Sequence, residues 1–209
     1  MSQVIVDTKS RKIVSASITA SFDYGKKLLE NEGYRIISLQ ENARLRIYEG
    51  INANVSREGN WVREGVIYVP GKGAYLTKNS PIMAHAKKAV NCHDKGPDFY
   101  LTNAQLEQSL ADSVRLIGQP ILTKDFGSNE ITVYAFGKTA ERYGQFLEEA
   151  GISDLPILLA HVQDKAFVLP VKFGHLDGVR TIISCNKRDL SYGCLRGIKN
   201  ISELEKSIE

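Results

Sequence analysis

The feature that most constrains this chain is a hairpin. Val66–Val69 and Ala74–Thr77 are apolar runs on either side of Pro70-Gly71-Lys72-Gly73. Proline fixes one turn dihedral and glycine enters positive φ without steric cost, so the chain reverses there and the two runs pair antiparallel. A lone hairpin is marginal in water, so this one needs further strands and a covering layer of helices.

The helices are marked by their ends. Ser21 or Asp23 can start one that carries Leu28 and Leu29 inward and stops at Gly33. Glu41–Tyr48 reads as a short helix ended by Gly50, and Thr139–Ala150 as another ended by Gly151. Ser80-Pro81 sets a hydroxyl cap before a proline, predicting a helix to about Asn91. Thr102 with Gln105 forms a capping box, and Leu106, Leu110, Val114 and Ile117 extend that helix to Gly118. The tail from Ser202 reads as a short amphipathic helix.

Strands are expected at Val4–Val6, Ile13–Ile18, Tyr34–Leu39, Ile131–Phe136 and Arg180–Cys185, with Ile157–His161 pairing Phe167–Val171. Residues 52–64 read as a polar, turn-rich loop. Tyr24-Gly25 and Tyr143-Gly144 open similar stretches ending in Gly33 and Gly151, a pattern that helices stopped by glycine produce without duplication. Hairpins beside helix-linked strands predict an α/β or α+β fold with a mixed sheet flanked by helices. The 209 residues allow two lobes, 1–118 and 119–209, or one elaborated domain.

Composition narrows the class. Apolar residues are 43% and charged residues 24%, so a packed core is expected rather than bulk disorder. No apolar stretch has membrane-spanning length, and the start lacks the basic and apolar segments of a signal peptide. Three cysteines, Cys92, Cys185 and Cys194, do not make a secreted disulfide framework, though the last two could pair across a turn. These features predict a cytoplasmic protein with free thiols, no membrane partner and no cofactor motif.

Three constellations could carry function. The first is a nucleotide pocket. Gly137-Lys138-Thr139 is expected to follow a strand and open a helix, as phosphate-binding turns do. Asn186-Lys187-Arg188-Asp189 resembles the guanine-reading Asn-Lys-x-Asp motif of GTPases over those four residues. A phosphate loop needs a glycine five positions before its Gly-Lys, and Thr132 stands there, so the pair does not assemble into a GTPase site.

The second is a thiol or metal centre. Cys92, His93 and Asp94 are the residue types of nucleophile, base and orienting acid. His85 and Cys92, seven apart, fall on one helical face, and a metal would need His161 or His175 in addition. No Cys-x-x-Cys or His-Glu-x-x-His supports a metal.

The third is a basic, aromatic surface. The net charge of +3 does not require a polyanionic partner. Within 180–199, however, Arg180, Lys187, Arg188, Arg196 and Lys199 gather around Tyr192 and two glycines read as turns, Gly193 and Gly197. A second group joins Arg44, Arg46, Tyr48, Arg57 and Arg63 to Trp61. Cations neutralise phosphates and exposed rings stack on unpaired bases. Lys187, Arg188, Tyr192, Arg196, Trp61 and Arg63 are therefore the expected contacts for nucleic acid or another polyanion, provided the rings are accessible. The other readings are an enzyme centred on His85, Cys92 and His93, and a non-catalytic assembly or adaptor protein that self-associates.

Overall fold

The computed structural model describes residues 3–9, 14–83, 100–159, 164–176, 183–184 and 193–199. The chain opens with β1 (Ile5–Lys9) and β2 (Val14–Ala20), an antiparallel pair. Helix α1 (Phe22–Asn31) follows and closes at Gly33, φ 77°, where the Gly33 and Tyr34 amides donate back to Glu30 and Leu29. A two-residue strand, β3 (Arg35–Ile36), leads into α2 (Leu39–Glu49) and the single-turn α3 (Asn54–Arg57). Then come β4 (Asn60–Val69), β5 (Gly73–Thr77), α4 (Asn103–Ala111) and β6 (Ser113–Leu116). The second half holds β7 (Ile121–Leu122), α5 (Glu130–Phe136), α6 (Ala140–Glu149), β8 (Asp154–Leu155) and β9 (Ile157–Leu158), then β10 (Phe167–Phe173), β11 (Ile183–Ser184) and β12 (Gly193–Lys199).

One ten-stranded sheet runs in the order β1-β2-β12-β4-β10-β11-β9, with β3, β5 and β6 branching from it. It draws strands from both sides of residue 118. The β12–β4 and β11–β9 pairs are parallel and the other pairs antiparallel, so the sheet is mixed. β4 is the axis. β10 runs along one of its edges, from Asn60 to Tyr68. Along the other edge, β12 pairs with Asn60 and Trp61, the Ile37 carbonyl accepts from the Arg63 amide, and β5 takes over from Gly65. The mixed α+β architecture and the hairpin agree with the sequence.

Several local expectations change. Ile131–Phe136 is helical because Asn129 caps it, its Oδ1 accepting from the Ile131 and Thr132 amides, and that cap outweighs the β-branched composition. Gly137-Lys138-Thr139 therefore follows a helix and forms a 3-10 turn, with no strand-to-helix phosphate loop. The capping box at Thr102 is present, but α4 ends at Ala111 and Ser113–Leu116 leaves it to pair with β5. Asn60–Glu64, read as loop, begins the central strand. β9 and β10 are separated by β11 rather than paired. Of the helix expected from Ser80-Pro81 to about Asn91 only residues 81–83 are described, and the expected tail helix lies outside the described residues.

Gly193 and Gly197 sit in β12 rather than in turns, and close packing explains both. A Cβ on Gly193 would stand 3.0 Å from the Trp61 ring, and one on Gly197 would stand 2.7 Å from Tyr34 Cβ. The Tyr-Gly pairs in α1 and α6 share this logic. A Cβ on Gly25 would lie 2.7 Å from Leu195 Cδ1, and one on Gly144 would lie 2.3 Å from the Thr123 carbonyl oxygen.

These contacts set a test. In a free helix Gly144→Ala would stabilise by about 1 kcal/mol. Here the clash with backbone should reverse the sign, for a net loss of about 2 kcal/mol by urea unfolding. Gly71→Ala, at the hairpin tip with φ 70° and nothing within 4 Å, should lose only about 1 kcal/mol.

Candidate functional site: a buried polar seam opening at one end of the sheet

Residues paired across neighbouring strands share a face, and alternate residues along one strand oppose each other. Leu195 pairs with Trp61, and Cys194 with Asn60. Trp61 and Leu195 therefore point to the α1 side, and Asn60, Cys194 and Arg196 to the other. Trp61 is 2% exposed, its ring 5.4 Å from that of Phe22 and covered by Gly193. It fills the core and offers no face to a ligand. Arg196 is fully buried on the opposite side, where its Nε donates to Asn60 Oδ1 at 3.0 Å and its Nη2 lies 3.7 Å from Glu58 Oε2. The expected union of Trp61 and Arg196 in one accessible surface is not formed. Arg63 is half-buried on β4. Lys187, Arg188 and Tyr192, like His85, Cys92 and His93, lie outside the described residues. So do Arg180 and Cys185.

The seam that holds Arg196 continues into α2. Arg46, also fully buried, donates from Nε to the Val55 carbonyl at 3.1 Å, from Nη1 to Tyr143 Oη at 3.2 Å, and from Nη2 to the Gly174 carbonyl. Its guanidinium carbon stands 4.1 Å from the Phe173 ring centroid. Burial pulls the Arg46 pKa below its ordinary value, with Tyr143 opposing that pull, and burial likewise raises the Tyr143 phenol. One turn before Arg46, Asn42 is fully buried with neither amide atom hydrogen-bonded, and on the following turn Glu49 accepts from Ser15 Oγ of β2 at 3.5 Å. α2 thus turns a polar face to the sheet, and this is why helical periodicity marked it only faintly.

A second polar cluster fixes the start of α2. Ser38 and Glu41 form a capping box, and Arg35 pairs with Glu41. Burial pushes the Glu41 carboxyl up, but the Arg35 hydrogen bond, the Ser38 amide and the Arg35 and Arg63 charges together bring it below its ordinary value. The Ser-x-x-Glu spacing of Ser38 and Glu41 was the sequence signal that could have located this start.

The seam reaches solvent where β4 and β12 begin. There the half-buried Cys194 thiol lies 3.6 Å from Glu58 Oε2 and 3.7 Å from Asn60 Oδ1. Glu58 is half exposed; it accepts from the thiol and stands as an ion-pair partner to Arg196. From sequence, Cys92 is the candidate for thiol chemistry and Cys194 only a possible partner of Cys185, because nothing local links residue 194 to residue 58. Among the described residues, no group of three or more His, Cys, Asp or Glu is placed to hold a metal ion. No helix there is long and apolar enough to cross a membrane.

Arg46 sets the stability test. Arg46→Ala removes the donor for three acceptors, two of them buried contacts, and leaves a void, so a loss of about 3–5 kcal/mol in urea unfolding is expected. Arg46→Met restores volume but not donors and should lose less. Equal stability of Arg46→Ala and wild type would contradict the seam.

No family model and no curated protein sequence matches the chain. A solved structure does, reported under "Accommodation of massive sequence variation in Nanoarchaeota by the C-type lectin fold", with a TM-score of 0.66 and 11% identity, covering 91% of this chain and 99% of that one. At that identity the likeness concerns backbone architecture alone: this chain has a mixed α+β fold similar to the C-type lectin fold.

Proposed function

We propose that this protein is a binding module without chemistry of its own, with its ligand face at the sheet end where β4 and β12 begin. One observation carries the reading. The polar groups of that end, Glu58 and Cys194, are anchored from beneath by the buried Arg196–Asn60 contact, so a rigid interior supports a polar rim. The structural neighbour's fold is reported to accommodate massive sequence variation, a property suited to a scaffold whose interior is fixed while its surface changes.

The ligand class we favour is a polyanion. Tyr192 is covalently next to Gly193 at this end, and Lys187 and Arg188 lie a few residues before it. Trp61 and Arg196 leave the contact set and become its support, while Arg63 remains a half-buried flank. No thiol–histidine pair among the described residues favours the enzyme alternative.

The test is binding of labelled single- and double-stranded oligonucleotides across a salt series. Affinity should fall steeply with salt, because each neutralised phosphate releases a counterion. Lys187→Glu with Arg188→Glu should weaken binding at least tenfold and flatten the salt slope by about 2. Lys72→Glu, at the hairpin tip beyond the far end of β4, should leave it unchanged. Absence of binding at low salt, or equal loss in both variants, would remove the polyanion from the account.

A further inference from the structure

Glu64 is the one carboxylate of β4 that is almost fully buried, 1% exposed, on the face that meets α2. Its Oε2 accepts from the Leu39 amide, at the first turn of α2, at 3.0 Å. Leu39 ends a short wedge that ties the sheet together. Two residues earlier, the Ile37 amide donates to the Arg196 carbonyl of β12 and the Ile37 carbonyl accepts from the Arg63 amide of β4. Glu64 therefore holds the segment that spans the gap between β12 and β4 once their direct pairing ends at Trp61 and Leu195.

We propose that the burial of Glu64 makes this wedge a proton-controlled latch, closed while Glu64 is protonated and loosened when it ionises, because leaving a carboxylate in the interior costs more than the strengthened hydrogen bond from the Leu39 amide returns. The surroundings are those of a neutral acid. α2 brings a second carboxylate, Glu41, which is held by Arg35 of β3. α5 brings Tyr134, whose phenol is pushed up to about 12, first by burial, and so stays neutral; it accepts from the Lys78 amide and donates to the Asp112 carbonyl. The Lys78 ammonium stands 4.5 Å from the Tyr134 ring centroid, and Tyr134 is the group it engages. β10 brings Pro170 and β5 brings Thr77, each paired with the adjoining Gly65, and neither titrates. Arg63, on β4 itself, is the one cation whose field favours the ionised form.

Burial dominates this balance and raises Glu64 from an ordinary 4.5 to about 7, against the opposing pull of its own and the Leu39 amides and of Arg63, and with Glu41 adding to the rise. A carboxyl that holds its proton more tightly in the closed state favours closure most below the ordinary value. That preference is lost as pH rises through the window up to about 7 and changes little beyond it. The latch is a property of the interior and does not rest on the ligand proposed above.

The test is native-state hydrogen exchange of the Ile37 and Leu39 amides between pH 5.5 and 8, corrected for intrinsic rates. Tyr68, in the β4–β10 ladder, reports global opening. The opening constants of Ile37 and Leu39 should rise about 30-fold over that range, at a protection below that of Tyr68. Glu64→Gln, which keeps the acceptor without the charge, should flatten the rise to about threefold or less. Glu41→Gln should preserve it. A flat wild-type profile, an undiminished rise in Glu64→Gln, a rise abolished by Glu41→Gln, or Ile37 and Leu39 matching Tyr68 in absolute protection would each overturn the latch.

Discussion

The interior of this protein depends on one strand fitting where it does. β12 lies between β2 and β4, pairing along the whole of β2 and for two residues with β4. To enter, it needs glycine where Trp61 and Tyr34 press on it, at Gly193 and Gly197. It also carries a charged side chain into the core at Arg196, where Asn60 accepts a hydrogen bond from Nε and the Glu58 carboxylate lies 3.7 Å from Nη2 as its counter-charge. Pairing a strand near residue 14 with one near residue 199 makes the sheet long-range, so loop closure must precede much of its stabilisation.

The two faces of the sheet are held by different physics. On the α1 side the contacts are apolar and close: Gly25 against Leu195, and Phe22 against Trp61. On the α2 side two buried guanidiniums, two buried asparagines and Glu64 replace much of the apolar packing. Burying charges costs several kcal/mol each unless they are hydrogen-bonded, and Arg46 meets that condition with three acceptors and an aromatic face. Such a seam contributes more to specifying one arrangement of α2 over the sheet than to net stability. Any slip of the helix by one residue would strand the donors of Arg46.

This division explains what was legible in the sequence. Turn and cap chemistry is local, so the β4–β5 hairpin, the glycine stops at Gly33, Gly50 and Gly151 and the Thr102 box could be read directly. Leu106, Leu110, Val114 and Ile117 misled because a helical spacing also fits a helix that breaks at Asp112 into a strand. Ile131–Phe136 misled because β-branched composition carried more weight than the Asn129 cap. The functional clusters failed for a different reason. Arg196 and Trp61 looked like surface groups because arginine is rarely buried and tryptophan often sits at interfaces, yet strand register sends them to opposite faces, and register is set by partners far away in the chain.

Both faces of the sheet depend on β12 covering Trp61 while Arg196 is buried on the reverse side. Because the chain has a single tryptophan, its fluorescence reads that arrangement directly. Blue-shifted emission that resists acrylamide quenching and does not change when oligonucleotide is added is the expected result. Emission like that of free indole, readily quenched and shifted by oligonucleotide, would place the ring on the surface and contradict the arrangement of the central strands.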